Sequence, residues 1–337
     1  MKNDNVKVSV CITTYNLEAY IAHTLDSVLC QETTFDYEVI IGDDFSTDNT
    51  REILLQYQAQ YPDKIVLHFQ EKNIGVNRND YDLIYLAKGK YIAWCDGDDY
   101  WLTKDKLQKQ ADILDANPDF SCVHTHWVDC YEVDGRKNNV TIQQYSWERE
   151  LRGDKYVERF IAGETSGCRF SSLMYRKAWV RDFLSKNSDV YLTIPHKQND
   201  FALFCILSYY GPFYLLPEYT TAYRIREISL SMGSDPKKRI DYILAYLHLL
   251  IYLQTTFDIR EEVLSNAIRR NVASVLYVMY NSRGHNWNKK LKELSSIIAL
   301  IDYTYSYGQY LQIMTLRSRI LYWITKPLFN YLYKHSC

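Results

Sequence analysis

Short apolar runs alternate with stretches of helical periodicity through the first hundred residues, and this alternation constrains the fold more than any other feature. Residues 6–12, 37–41, 65–69 and 91–95 are mostly apolar, with β-branched residues prominent among them. Between them, residues 18–30 repeat Ile21, Leu25, Val28 and Leu29 at helical spacing, and residues 50–61 and 79–87 also read as helices. Asp44-Phe45-Ser46-Thr47-Asp48 supplies turn and cap residues, Gly75 opens a loop, and Gly89 ends a helix. Continuously apolar strands separated by amphipathic helices predict a parallel sheet covered on both faces.

Further along, residues 101–117 read as a helix stopped by Pro118, and 120–133 as another strand. Residues 136–155 are polar and read as an exposed or mobile loop, and 156–223 mix short elements. Beyond Pro236 the pattern is helical to Tyr333, so the chain divides near Ser234 into regions 1–234 and 235–337. A net charge of −2 over 337 residues gives no global basic field, which argues against a nucleic-acid partner. The eight cysteines form no CxxC pair and several sit in apolar runs, as reduced thiols of a cytoplasmic protein do. The first residues hold no apolar signal region, and the longest apolar stretch, 242–255, is broken by His248 and Gln254. The expectation is a soluble protein, at most peripheral to a membrane.

Three of the strands end in polar residues: Thr13-Thr14-Tyr15-Asn16, Gly42-Asp43-Asp44 and Asp96-Gly97-Asp98-Asp99. In a parallel sheet these ends share one edge, where open α/β sheets bind ligands. One Asp-rich turn is common on its own. Three clusters at strand ends, one with three mutually repelling carboxylates, call for a cation or ligand. A nucleotide with a diphosphate suits them. An aspartate accepts from a base N–H or a ribose hydroxyl, a tyrosine stacks on the base, and another aspartate holds a hard divalent cation.

Taken together, Val8-Ser9-Val10-Cys11-Ile12-Thr13-Thr14-Tyr15-Asn16, Ile41-Gly42-Asp43-Asp44-Phe45-Ser46-Thr47-Asp48-Asn49-Thr50, Asn73-Ile74-Gly75, and Gly89-Lys90-Tyr91-Ile92 leading into Asp96-Gly97-Asp98-Asp99 resemble the family 2 glycosyltransferases. The resemblance in order and spacing runs to about residue 120. It implies a GT-A fold, with a Rossmann-like, mostly parallel sheet flanked by helices and a helical C-terminal region. It also implies a nucleotide-sugar donor and inversion at the anomeric carbon. It puts Thr13 and Tyr15 at the base and ribose, with Glu18 nearby. Asp44 would accept from the base, most simply uracil N3–H. Arg78 would meet the base or the phosphates. Asp96 would face the donor, and Asp98 would ligate Mn2+ or Mg2+.

Transfer also needs a base for the acceptor hydroxyl. The resemblance puts it at Asp200, in Gln198-Asn199-Asp200-Phe201-Ala202-Leu203, with Asp189 as the fallback. A plain helix cap is the structural alternative for Asp200. In one departure, Tyr223-Arg224-Ile225-Arg226 puts Arg226 where many relatives carry a metal-facing histidine. Arginine does not ligate metals but pairs with diphosphates, which leaves the metal's third protein ligand open. Ile228-Ser229-Leu230-Ser231 would belong to the same flap, and Gly163-Glu164-Thr165-Ser166-Gly167 to an acceptor-side loop or an ordinary turn. Asp99 has no ligand assigned and reads as a cap for the helix near Trp101.

Cys122, His124, His126 and Cys130 resemble a metal cluster, but alternating spacing fits a core strand better than zinc. Residues 317–333 are basic with an aromatic apolar face, which fits either protein packing or contact with a membrane surface. The reading is a metal-dependent hexosyl- or N-acetylhexosaminyltransferase. It would move a sugar from a UDP-sugar to a saccharide or lipid-linked acceptor in surface polysaccharide synthesis. The alternatives are a catalytically silent nucleotide-sugar-binding or scaffolding relative and, less well matched, a sugar-1-phosphate nucleotidylyltransferase.

Overall fold

In the computed structural model, residues 6–133, 136–142, 153–163, 168–194, 198–226, 235–282 and 286–299 are described. The N-terminal part alternates as expected: β1 (Val8–Thr14), α1 (Ile21–Leu29), β2 (Tyr37–Asp43), α2 (Thr50–Gln60), β3 (Ile65–Phe69), α3 (Val76–Leu86) and β4 (Tyr91–Trp94). Then come β5 (Tyr100–Trp101), α4 (Lys106–Ala116), β6 (Cys122–Val133), β7 (Arg136–Ile142), α5 (Gly153–Ala162), β8 (Met174–Arg176), α6 (Lys177–Lys186), α7 (Asp189–Leu192), α8 (Asn199–Tyr210) and β9 (Phe213–Ile225). The helices α9 (Pro236–Thr256), α10 (Glu261–Asn281) and α11 (Asn288–Ala299) follow.

The strands form one sheet in the order β3-β2-β1-β4-β8-β6-β9-β5, with β7 on β6. Pairing is parallel from β3 to β4 and between β6 and β9; β8 and β5 run antiparallel to their neighbours. Every residue of β2 and β4 is buried, which explains why these strands read as unbroken apolar runs. On α1, Ile21, Leu25 and Val28 form one buried face and join Val10, Ile12, Val39 and Ile41 in the core. Helix α8 is buried from Phe201 to Ser208, so only its ends are left for polar work.

Two sequence expectations are corrected here. Residues 101–105 are not helical, because Tyr100 and Trp101 pair with Ala222 and Thr221 of β9. The Trp101 amide donates to Ser27 Oγ and its indole N–H to Ser171 O, which fixes this short strand. The polar stretch read as a loop contains β7, whose residues pair with Val128–Val133 of β6, and the start of α5. Side-chain periodicity is a poor guide to such a ribbon, because cross-strand hydrogen bonds define it.

The chain divides into two compact units. One holds β1–β9 with α1–α4, α6–α8 and most of α5. The other holds α9–α11, with Ile161 and Ala162 from the end of α5. In this second unit, the Asp235 side chain caps α9 by accepting from Lys237 N at 2.9 Å. Leu247 and Leu250 of α9 and Val272 and Leu276 of α10 are buried. Lys290 of α11 pairs with Asp241 of α9 at 2.7 Å, and Arg270 donates to the carbonyls of Ile161 and Ala162. Residues 164–167 of the expected acceptor loop, the segment 228–231 and the basic stretch 317–333 lie outside the described residues.

Candidate active site

β1, β2 and β4 are parallel: β1 and β2 end side by side at Thr14 and Asp43, and β4 ends at Trp94 opposite Cys11. The turn after β4 reaches the same edge, where the Gly97 amide donates to Thr13 O at 3.0 Å. β6 and β9 run in the same direction as β4, so Arg224 and Arg226 arrive at that edge too. They meet the Asp96–Asp99 turn. Arg226 Nη2 lies 2.5 Å from Asp98 Oδ2, and Arg224 Nη1 donates to Asp98 O at 2.6 Å. Arg224 also contacts His23 Nδ1 at 2.5 Å and lies 4.6 Å from the Tyr100 ring centroid.

Asp99 caps no helix, contrary to the sequence reading. It is buried, and its carboxylate accepts from Ser171 Oγ at 2.6 Å and from the Arg224 amide at 3.0 Å. Burial, then the Asp98 charge, push its carboxyl up to about 7. Ser171 Oγ in turn accepts from the Asp96 amide at 3.0 Å, so one hydroxyl fixes both ends of the turn. Burial and the charges of Asp99 and Asp98 also push the Asp96 carboxyl well up. Gly97 has no room for a side chain: a Cβ there would sit 2.8 Å from Thr13 O and 2.9 Å from Leu17 Cδ1.

At the β1 and β2 ends, the Asp44 amide donates to Thr14 O at 2.9 Å. Its carboxylate accepts from the amides of Ile74 at 2.7 Å and Gly75 at 2.9 Å. Burial pushes the Asp44 carboxyl up, and these two bonds oppose the shift. Asp44 thus ties the Asn73-Ile74-Gly75 turn to the strand end. Thr13 is half-buried there, and Tyr15 is 47% exposed. Glu18 Oε2 accepts from both the amide and the side chain of Asn49. Arg78 pairs with Asp82 one turn along α3, at 3.1 Å.

Asp200 lies in the first turn of α8, where its Oδ1 accepts from the Phe201 amide at 2.7 Å. Burial pushes its carboxyl up, while that bond and the Arg169 charge pull it down. The preceding residue, Asn199, donates its side-chain N–H to Asp80 Oδ2. Asp80, on α3, is fully buried, and burial pushes it up to about 8, with the Asp200 charge adding to the shift. Arg169 lies 3.8 Å from the Tyr223 ring centroid. Asp189 sits at the exposed start of α7 and accepts from Thr193 Oγ1 at 2.9 Å. Sequence reasoning missed Ser171, Arg169 and Asp80, whose partners are far away in the chain.

On β6, His126 stacks on Tyr219 with ring centroids 5.1 Å apart, and burial pushes His124 down to about 3. Among the described residues, no helix is long and apolar enough to cross a membrane.

The model of glycosyl transferase family 2 matches residues 9–183. An uncharacterized protein of Mycobacterium tuberculosis is 36% identical over 222 residues, covering 64% of this chain and 58% of that protein. The chain thus spans little more than half the length of that relative. An uncharacterized glycosyltransferase of Nostoc is 32% identical over 234 residues, covering 68% of each chain. A putative teichuronic acid biosynthesis glycosyltransferase of Bacillus subtilis is 40% identical over 114 residues, 34% of this chain and 44% of that protein. Among solved structures, residues 1–349 of Staphylococcus aureus TarS with UDP-GlcNAc share the fold at a TM-score of 0.55 and 21% identity, covering 91% of this chain and 81% of that one. A Pyrobaculum calidifontis mannosyltransferase with GDP-Man and Mn2+ shares it at 0.52 and 14%, covering 98% and 84%.

Proposed function

Because the chain belongs to glycosyl transferase family 2, we propose that it moves a sugar, with inversion, from a UDP-sugar to a saccharide or lipid-linked acceptor in surface polysaccharide synthesis. The observation that carries this reading is the gathering of Asp44, Asp96, Asp98 and Arg226 at one sheet edge, with Asp200 near enough to raise the Asp96 carboxyl. The named activity of the Bacillus relative and the UDP-GlcNAc bound to TarS support the acceptor and donor classes.

In the proposed reaction the acceptor oxygen bonds to the anomeric carbon as that carbon's bond to the diphosphate oxygen breaks. The hydroxyl proton passes to the Asp200 carboxylate, and the nucleoside diphosphate leaves with the electron pair. Thr13, Tyr15, Glu18, Asp44 and Arg78 would hold the nucleoside, and Asp96 the donor sugar. Asp98 would be the protein ligand of Mn2+ or Mg2+. When bound, the ion supplies Lewis-acid stabilisation of the charge on the leaving diphosphate. Among the described residues, no three His, Cys, Asp or Glu side chains form a cage for an ion. Carboxylate oxygens are the donors that a hard divalent cation prefers, so Asp98 would hold the ion with the donor's phosphates. Arg226 pairs with the Asp98 carboxylate, and in the proposed reaction it would pair with the diphosphate instead.

That same ion pair favours a second reading, a relative that binds nucleotide sugar without turning it over. In either case residues 1–234 would carry donor binding, and 235–337 packing, oligomerisation or membrane contact. The protein would work in the cytoplasm, or at the inner membrane face if the acceptor is lipid-linked.

Calorimetry with nucleoside diphosphates and their sugar conjugates, with and without Mn2+, tests both readings. Absence of metal-dependent binding to all of them would sink both. Asp200→Asn separates the two: donor binding should persist while turnover falls by about 10²- to 10⁴-fold. Unchanged turnover would move the base elsewhere.

A further inference from the structure

Phe45 is the one bulky residue among those described whose backbone lies in the left-handed region, at φ 66°. That conformation favours glycine and burdens a residue with a Cβ, so it persists only where the surroundings over-determine it. They do so here. The Asp44 amide is bonded to Thr14 O, and the Ser46 amide and hydroxyl are both bonded to the Asp43 carboxylate. The Asn16 amide donates to Ser46 Oγ at 2.9 Å, and the Thr47 amide to Asn16 Oδ1 at 2.8 Å. The β1 and β2 loops are thereby joined on either side of Phe45.

Burial does not repay the strain, because Phe45 remains 41% exposed. Its ring is nevertheless held. Arg51 bonds to the Asp43 carboxylate through Nε and to Gln70 O through Nη2 at 2.6 Å. The guanidinium carbon so fixed lies 5.2 Å from the Phe45 ring centroid and 4.9 Å from that of Phe69. A strained, exposed ring backed by an anchored guanidinium is built to receive a flat partner.

We infer that Phe45 is a platform on which the heterocyclic base of the donor nucleotide stacks, with Arg51 and Asp43 as its positioning residues. This rests on the nucleotide-sugar reading above. The sheet order supports it: β2 lies two strands from β4, across β1, about 10 Å at the usual spacing. A nucleoside bridges such a gap between its base and its diphosphate, so a base at Phe45 leaves the phosphates toward Asp96 and Asp98. The exposed Tyr15 ring, on the loop bonded to the Phe45 loop, belongs to the same end.

The test is calorimetry of the full chain with UDP, GDP and inorganic pyrophosphate in Mn2+, alongside thermal melts. Phe45→Gly removes the ring and the strain together; Phe45→Leu removes the ring and keeps the strain. Both should weaken UDP and GDP about tenfold and leave pyrophosphate unchanged. The Gly variant should melt at or above the wild-type temperature, and Phe45→Tyr should bind as wild type does. Two results would overturn the inference: unchanged UDP and GDP affinity in the Gly and Leu variants, or equal weakening of all three ligands together with a lowered melting point. Wild-type protein that binds none of the three would instead overturn the donor reading, and this inference with it.

Discussion

Arg169 stacks over the Tyr223 ring, and its charge opposes the effect of burial at Asp200. Among the described residues, Asp80, Asp96, Tyr191, Cys168 and Cys205 also interact electrostatically with Asp200. A general base works deprotonated, so under the proposed role of Asp200 activity should rise with pH through its raised pKa. Removing the arginine raises that pKa further. In Arg169→Ala, the acid limb of kcat should therefore move to higher pH by roughly one unit, with the rate recovering in alkali. A pH–rate profile reads this directly, and a pH-independent loss would show that Arg169 acts on something other than the base. The residues proposed to meet the donor were read from the sequence because most of them follow apolar runs. Those that set their chemistry were not. Ser171 reaches Asp96 and Asp99, and Asp80 reaches Asn199, only once distant strands and helices pack.

At the level of elements, β3 was readable to the residue because it is an isolated apolar run between polar turns. β5 was not, because two residues become a strand only through pairing with Ala222 and Thr221. The β4–β5 turn is where this pairing matters most for the site. Gly97 N donates to Thr13 O at 3.0 Å, and an added methyl would meet that same oxygen. Gly97→Ala should therefore push the turn off the end of β1. We expect a loss of about 1–3 kcal/mol in stability, as for overpacked sites. Donor affinity should fall with it, because Asp96 and Asp98 ride on the same turn. Chemical denaturation and calorimetry on one preparation test both effects, and normal donor binding in a destabilised variant would separate the turn from the site. Phe45 shows the limit of pattern reading, since nothing in Asp-Asp-Phe-Ser announces a left-handed backbone.

For the whole molecule, buried acids set the response to pH. Asp80 is pushed up to about 8 in the fold, against about 3.9 in an unfolded chain. Between these values the native state keeps a proton that the unfolded state has lost, so stability falls as pH rises and levels off above the folded value. Asp200 contributes in the same direction. Lys106 opposes them only above its depressed value of about 7, where the unfolded state keeps a proton that the native state has released. The melting point should accordingly drop between pH 5 and 7, and Asp80→Asn should flatten that slope by on the order of 1 kcal/mol per pH unit. An unchanged slope would mean that Asp80 is ionised in the native state. The sheet order also has a consequence for how the chain is made. β9 fits between β6 and β5, yet β5 ends at Trp101 and β9 begins only at Phe213. At roughly 5–20 residues per second, a nascent chain on the ribosome leaves both edges open for several seconds. The acidic turn waits equally long for its two arginines, so the growing chain is most prone to aggregate in that interval, before the last strand closes the sheet.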